Sequence, residues 1–373
     1  MVPRVISAVN SLSKPMINLN SGDPDAEAPA YVREAVLQSV SDGGKWTHYW
    51  PSEVTSEFCQ AVVDYYRNIG PEYKPKNVIP TAGSSPALYV ALKTILDKGD
   101  EILMWQPSYS GHYTMLKTMG VKMNVAPLLE ETAFHPDLDT LSKYITPKTK
   151  AVLICSPNNP TGTVFTRKEL KAIGEHAIDN DLAVFSDEIY LHFVYGNSNF
   201  TSTASIDNLK ERTINIMSFS KTFSMTGYRL GYTIVPERYL SKANAIARMV
   251  AARPTTFVYA GGLAALNGDM SYVEERRLEY ETRKNYFCNA LDNINGINCQ
   301  SSEGAFYAWF NIKELGLNSD EFCKRLIDEQ QVNVRSGNRF GLNVEGYVRA
   351  ALVQPIPILK EAIRGISYFA DTL

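Results

Sequence analysis

A lysine and an arginine lie close together in a segment whose residue types suit covalent and phosphate chemistry. Lys221 ends an apolar stretch that predicts a strand, and Arg229 follows eight residues later in Ser218-Phe-Ser-Lys-Thr-Phe-Ser-Met-Thr-Gly-Tyr-Arg-Leu-Gly231. A lysine amine can form an imine with an aldehyde and can accept or return a proton, and a guanidinium can bind a dianion through paired hydrogen bonds. A single lysine is more often a solvated surface charge, so the assignment depends on the other motifs.

Two further polar motifs follow predicted strands upstream. Ser186-Asp-Glu-Ile-Tyr190 ends one apolar run, and Ser156-Pro-Asn-Asn-Pro-Thr-Gly162 follows another. Taken alone, a strand-end aspartate more often caps the next turn, and proline with asparagine indicates a tight loop. The two motifs by themselves therefore leave a structural role and a functional role open.

Another motif, Thr81-Ala-Gly-Ser-Ser-Pro-Ala87, is typical of a helix start that binds an anion. Gly83 follows a predicted strand, Ser84 and Ser85 suit N-cap positions, and the proline suits the first helical turn. The free backbone N–H groups and the helix dipole would face a phosphate there. An ordinary capped helix is the alternative.

These motifs need a sheet to position them, and the sequence predicts one. Between about Val78 and Pro236, short apolar runs alternate with helical patterns, which indicates an α/β fold whose large domain holds a mostly parallel seven-stranded sheet. Thr166 and Glu169 form a capping box that predicts the start of one covering helix. The predicted strands are Val78–Ala82, Glu101–Trp105, Lys122–Val125, Ala151–Cys155, Ala183–Ser186, Ile214–Ser218 and Tyr232–Val235.

The pattern changes after about Ser271. A long charged helix from Tyr272 to about Leu291 leads to a segment, Gly296 to Leu373, that alternates helix and strand patterns. Near the N-terminus, the sequence predicts a helix from Ala30 to about Val40. We therefore predict two domains: residues 45–270 form the large domain, and residues 1–44 with 271–373 form a smaller α+β domain.

The composition argues against several classes of function. The 373 residues include 37 Lys and Arg and 40 Asp and Glu, and the formal charge of −3 is spread without long runs, so we expect no nucleic-acid or membrane partner. The five cysteines form no C-x-x-C pair, which predicts reduced thiols and no metal site. No apolar run suits a signal peptide or a membrane span. We expect a cytoplasmic protein that acts on small molecules.

Together, the motifs resemble those of fold-type I, pyridoxal-5′-phosphate (PLP) dependent aminotransferases, in particular the class I and II enzymes for aspartate and aromatic amino acids. The resemblance extends from Leu19 to Arg349. It implies that Lys221 carries PLP as a Schiff base and later moves the substrate proton. It also implies that Asp187 pairs with the pyridine nitrogen. Tyr190 and Asn159 would hydrogen-bond the ring oxygen.

The same resemblance assigns the remaining site residues. Tyr109 would stack on the pyridine ring, Arg349 would clamp the substrate α-carboxylate, and the backbone of Gly22 would close over that carboxylate. Tyr49 would reach the phosphate of the neighbouring subunit, which implies a homodimer. The resemblance assigns Ser218, Ser220 and Arg229 to the phosphate. With the other motifs present, the helix-start motif favours phosphate contacts from Gly83, Ser84 and Ser85 as well, with Ser84 as the side-chain donor.

Departures from the family pattern lie in loops that face the substrate. Ala26 and Val54 replace an aromatic residue and a glycine that are common there, and Tyr228 replaces a common tryptophan. Arg253 lies near the place where aspartate-specific relatives supply a carboxylate sensor from the partner subunit, and an ordinary surface arginine is the alternative. The other candidates for substrate contact near these loops are His112 and Trp50.

The leading interpretation is a reversible aminotransferase that moves an amino group from an L-amino acid, aspartate or aromatic, to a 2-oxo acid such as 2-oxoglutarate. A PLP-dependent β-lyase, cyclase or oxidase on the same fold would share Lys221, Asp187 and Arg349, so these residues do not discriminate between the reactions. A non-enzymatic PLP-fold sensor would require an added helix-turn-helix module, and only a short segment precedes the resemblance.

Overall fold

The computed structural model describes residues 15–49, 51–250, 253–342 and 344–373. Within these residues, the strands form three sheets. The strands are β1 (Ile17–Asn18), β2 (Val78–Thr81), β3 (Glu101–Gln106), β4 (Lys122–Pro127), β5 (Thr149–Cys155), β6 (Ala183–Asp187), β7 (Thr213–Ser218), β8 (Gly231–Ile234), β9 (Asn298–Cys299), β10 (Tyr307–Asn311), β11 (Val332–Asn333), β12 (Arg335–Ser336) and β13 (Tyr347–Ala351).

The helices alternate with the strands of the large sheet and cluster again near the C-terminus. They are α1 (Ala30–Asp42), α2 (Ser52–Tyr66), α3 (Ser84–Ile95), α4 (Ser110–Met119), α5 (Arg167–Asp179), α6 (Phe219–Thr222), α7 (Leu240–Met249), α8 (Val258–Asn267), α9 (Ser271–Asp292), α10 (Ser319–Gln330) and α11 (Ile356–Ala370). No helix in the described part of the chain is long and apolar enough to span a membrane.

The large sheet has seven strands in the order β2-β8-β7-β6-β5-β3-β4. All neighbouring pairs are parallel except those of β8, which runs antiparallel to both β2 and β7. Each observed strand matches a predicted one, with ends that agree within two residues. The prediction of an α/β fold with a mostly parallel seven-stranded sheet is confirmed.

The sheet is buried on both faces because its central strands are continuous apolar runs. Side chains alternate between the faces of a strand. In β3, Ile102 and Met104 accordingly pack in a cluster with α3, whereas Leu103 and Trp105 pack in a second cluster with α5. Two layers of helices thus fix the positions of the strand ends.

The predicted capping box is present at the start of α5. The Thr166 hydroxyl accepts a hydrogen bond from the Glu169 N–H at 3.2 Å, and the Glu169 carboxylate accepts one from the Thr166 N–H. Leu170, Ile173 and Ala177 form the buried face of the helix, as the sequence pattern predicts.

The second body of structure is a four-stranded antiparallel sheet in the order β12-β13-β10-β9, which packs with α9, α10 and α11 around its own core. The short strand β1 pairs in parallel with β11 and so brings the N-terminal segment to this region. Helix α1 packs against α8. The domain boundaries at 44/45 and 270/271 remain a prediction.

Candidate active site

A cavity of about 590 Å³ lies at the carboxyl ends of the central strands of the large sheet. The N-terminal segment and strand β13 supply its opposite wall. Most of the predicted site residues line it, namely Gly22, Ser84, Ser85, Tyr109, Asn159, Asp187, Tyr190, Ser220, Lys221, Arg229 and Arg349. The fold therefore collects residues that are more than 300 positions apart in sequence, as Gly22 and Arg349 are.

Lys221 projects into this cavity from the short helix α6, which directly follows β7. Its Nζ donates a hydrogen bond to the Gly22 carbonyl oxygen at 2.6 Å. Burial lowers the pKa of this amine to about 8; the Asp23 carboxylate opposes that shift, and the guanidinium groups of Arg349 and Arg229 add to it. The lowered pKa raises the fraction of neutral, nucleophilic amine at physiological pH.

Asp187 is the last residue of β6, and its buried carboxylate has a partner that the sequence analysis did not identify. The Asp187 Oδ2 lies 2.9 Å from Nε2 of His112, whose Nδ1 lies 3.0 Å from the Ser108 hydroxyl. His112 is fully buried and does not line the cavity, so it supports Asp187 rather than facing the substrate. The Tyr109 ring meets the His112 ring edge-on, with 5.4 Å between centroids.

Tyr190 and Asn159 line the same cavity as Asp187, and each contacts a residue of the opposite wall. The Tyr190 hydroxyl lies 2.7 Å from that of Tyr307, and burial raises the pKa of Tyr190 well above its ordinary value. The Asn159 Oδ1 accepts a hydrogen bond from Arg349 at 3.1 Å. Tyr307 is a cavity residue to which the sequence analysis gave no role.

Arg349 is a deeply buried cation in strand β13. Its guanidinium donates to the Asn159 side chain and to the Asn20 carbonyl oxygen, and it lies over the Tyr307 ring at 4.4 Å from the centroid. Among the described residues, its Nε has no hydrogen-bond partner and no acidic side chain forms an ion pair with it. Because a buried charge without a counter-ion is costly, this position favours an anionic ligand.

The N-terminus of α3 forms the other charged end of the cavity. Gly83 occupies the N-cap position with a φ of 94° and has no side chain that could cap the helix. The first backbone N–H groups of α3, those of Ser84 and Ser85, are therefore left to bind a ligand. A Cβ on Gly83 would overlap with the Arg229 guanidinium. Glycine is therefore required both by the backbone conformation and by the close approach of Arg229.

Several predicted residues do not line the cavity of their own chain. The Ser218 hydroxyl caps α6 by accepting from the Ser220 N–H at 3.1 Å, and its predicted donation to the phosphate remains a prediction. Tyr49 is 90% exposed, and its predicted contact with a second subunit remains a prediction. Arg253 lies in the electrostatic environment of Cys59 and Tyr259, away from the cavity lining. Trp50 lies outside the described residues.

Arg335 is a cavity residue that the sequence analysis missed. It lies in β12, and its Nη1 donates to the Asn20 Oδ1 at 2.9 Å. No local motif marks it. Its position follows from the register of two short strands, in which Arg335 is directly opposite Arg349.

The chemistry of this lining fits PLP, which carries a phosphate, a basic ring nitrogen and a phenolic oxygen. The open helix N-terminus with Arg229 suits the phosphate dianion. The Asp187 carboxylate suits a protonated ring nitrogen, and Lys221 supplies the amine that the aldehyde requires. The unpartnered Nε of Arg349 leaves a donor for the carboxylate of an amino acid.

The fold and this cavity define a PLP-dependent transferase, and the chain belongs to the family of class I and II aminotransferases. The sequence model for that family, described as aminotransferase class I and II, matches residues 14–364. Enzymes of this family depend on PLP, so this chain is a PLP-dependent aminotransferase.

Individual relatives agree with this assignment. The aromatic-amino-acid aminotransferase 2 of Thermococcus litoralis is 37% identical over 352 residues, which cover 93% of this chain and 90% of that protein. The aspartate aminotransferase of Bacillus subtilis is 35% identical over 363 residues, which cover 95% and 91%. The crystal structure of the aromatic aminotransferase from Pyrococcus horikoshii OT3 superposes with a TM-score of 0.92 at 33% identity and covers 99% of each chain.

Proposed function

We propose that this aminotransferase moves the amino group of an L-amino acid, aspartate or aromatic, to a 2-oxo acid such as 2-oxoglutarate. The observation that carries the proposal is the pairing of two groups in one cavity. Lys221 offers a buried amine of lowered pKa, and Arg349 offers a buried guanidinium without an acidic partner. The relatives named for aspartate and for aromatic amino acids support these two donor classes.

Four sets of side chains would hold the cofactor. Asp187, supported by His112, would keep the ring nitrogen protonated. Tyr190 and Asn159 would hydrogen-bond the ring oxygen, with Tyr109 against the ring. When bound, PLP supplies an electron-withdrawing ring that acidifies the substrate Cα–H bond. The residues proposed for the phosphate are Gly83, Ser84, Ser85, Ser218, Ser220 and Arg229.

Lys221 would move the proton of the reaction. Its Nζ, held by the Gly22 carbonyl, would accept the proton from the substrate Cα in the first half-reaction and would return a proton to the Cα of the new amino acid in the second. Arg349 would bind the α-carboxylate through paired hydrogen bonds and so fix the direction of the Cα–H bond, with the Gly22 backbone closing over the same carboxylate. The burial of Arg349 would exclude water from its charge.

We further propose that the enzyme is a cytoplasmic homodimer in which Tyr49 completes the site of the neighbouring subunit. The ring of Tyr49 is largely exposed on the isolated chain, which suits a residue that a partner covers. All five cysteines are buried free thiols, which suits a reducing compartment.

The central test is Lys221→Ala, with Lys171→Ala, a substitution of an exposed lysine, as the control. We expect the first variant to lose both turnover and the absorbance of the covalently bound cofactor, and the second to retain both. Each of the common L-amino acids is then supplied with 2-oxoglutarate, pyruvate or oxaloacetate, and the oxo acid and amino acid products are measured. Full turnover by the Lys221→Ala variant would refute the proposal. Release of ammonia from a single amino acid would indicate a lyase or oxidase instead.

A further inference from the structure

Two arginines face each other across strands β12 and β13 in the wall of the active-site cavity. The register pairs Arg335 directly with Arg349, and both residues line the cavity. Opposite residues of an antiparallel pair project from the same face of the sheet, with about 5 Å between their Cβ atoms. Like charges in this arrangement repel each other and destabilise the fold, so a bound anion would offset a real cost.

In the described part of the chain, the hydrogen-bond acceptors of this pair carry no charge. Arg335 donates to the Asn20 side-chain oxygen, and Arg349 donates to the Asn20 carbonyl oxygen and to the Asn159 side chain, all of which are neutral acceptors. None of the ion pairs between described residues includes either arginine. Asn20 therefore holds both guanidinium groups in position and leaves both charges for a ligand.

The proposed function assigns a partner to the other charged groups of the cavity but none to Arg335. Arg229 is assigned to the cofactor phosphate and Arg349 to the α-carboxylate of the substrate. Of the two acids that line the cavity, Asp187 is assigned to the ring nitrogen, and Asp23 accepts a hydrogen bond from Thr226 at 2.7 Å. Arg335 is a fixed cation beside the substrate end of the cavity with no assigned anion.

We propose that Arg335 binds the distal carboxylate of a dicarboxylic amino acid or oxo acid and so determines substrate specificity from within the same chain as Arg349. This inference rests on the proposed aminotransferase function and selects dicarboxylic acids among its substrates. Both guanidinium groups donate to oxygens of the same residue, Asn20, so they lie close enough together for the two carboxylates of one short dicarboxylic acid. A planar guanidinium binds a carboxylate through two parallel hydrogen bonds, which gives both affinity and orientation.

The test compares the holoenzyme with the variants Arg335→Gln and Arg335→Lys. Arg339→Gln is the matched control, because Arg339 is exposed in the same segment and does not line the cavity. Loss of one charge-assisted hydrogen-bonded contact predicts a fall of about 10- to 100-fold in kcat/KM of the Arg335→Gln variant for aspartate, glutamate and 2-oxoglutarate. The loss should appear mainly in KM, because the contact is made in the ground state and in the transition state alike.

The same variants are tested with alanine and phenylalanine, which carry one carboxylate. We expect little change for these donors, and we expect Arg335→Lys to recover part of the activity with dicarboxylic substrates because it retains the charge. An equal loss for both classes of donor would overturn the proposal and would assign Arg335 to the α-carboxylate. A loss confined to Arg253→Gln would also overturn it, by assigning the distal carboxylate to the other arginine.

A binding measurement separates this inference from the proposed function. Calorimetry with succinate should show weaker binding to the Arg335→Gln variant than to the unaltered holoenzyme, by about 10- to 100-fold, whereas propionate should bind both equally. If the unaltered enzyme transaminates no donor, the proposed function fails, and the succinate measurement still decides the role of Arg335. Equal effects on succinate and propionate would refute that role.

Discussion

The lowered pKa of Lys221 has a measurable consequence for the capture of the cofactor. At pH 7, an amine with a pKa of about 8 is about one-tenth neutral, whereas at the ordinary pKa of 10.5 about one molecule in 3,000 is neutral. Only the neutral amine attacks an aldehyde. The buried position of Lys221 should therefore accelerate this step about 300-fold at pH 7 relative to an ordinary lysine.

Stopped-flow mixing of the apoenzyme with PLP, followed through the absorbance of the bound cofactor, measures this rate as a function of pH. Because the folded-state pKa is lowered, the rate should fall about tenfold per pH unit below pH 8 and level off above it. Lys221→Ala supplies the background from other amines. A profile that keeps rising to pH 10, as for an ordinary lysine, would refute the reasoning.

Two variants should move the midpoint of this profile in opposite directions. Asp23→Asn removes the carboxylate that stabilises the charged amine, so the midpoint should fall further. Arg349→Met removes a cation that destabilises the charged amine, so the midpoint should rise. The midpoint, rather than the absolute rate, is the readout, because either variant can also change how PLP binds. Shifts in the same direction would contradict the electrostatic explanation.

Two further predictions concern the cofactor end of the site and the subunit arrangement. Gly83→Ala should raise the Kd for PLP by about tenfold or more, because the new Cβ displaces Arg229. The control is Gly99→Ala, because Gly99 has a similar positive φ but open space around it. This variant should lower the free energy of unfolding and leave the Kd for PLP unchanged. The second experiment mixes and refolds a Tyr49→Ala chain with a Lys221→Ala chain. Half of the dimers then hold one chain of each kind and contain one intact site, so about one quarter of the wild-type activity should return. No recovery of activity would argue against a site shared between subunits.

The large sheet could be predicted because each of its strands is marked by a local pattern in the sequence. Apolar runs that end in polar residues locate β3, β5, β6 and β7 within two residues, and the capping box locates α5. The reversed direction of β8 was not predictable, because an apolar run carries no information on direction. The two-residue strands β1, β11 and β12 are too short to show any period, so the pairing of β12 with β13 had to come from the structure.

The site residues show the same difference: those in local sequence motifs could be predicted, and those whose position depends on the folded structure could not. Lys221 and Asp187 were identified because each follows a strand within a recognisable motif. His112 was one candidate for substrate contact because it lies near the predicted substrate loops, but the first turn of α4 directs it inward to Asp187. A signal was available in the spacing of Ser108 and His112, four residues apart, which a helical turn brings together.

The two ends of the cavity are built from different parts of the chain, and the proposed roles of their residues would separate cofactor chemistry from substrate choice. The cofactor end is built from strand ends of the large sheet, which are rigid and locally encoded. The end proposed for the substrate is built from β12, β13 and the N-terminal segment, where Asn20 contacts Arg335 through its side chain and Arg349 through its carbonyl oxygen. If Arg335 has the proposed role, its substitution should change which acid is bound while Lys221 keeps its hydrogen bond to the Gly22 carbonyl oxygen.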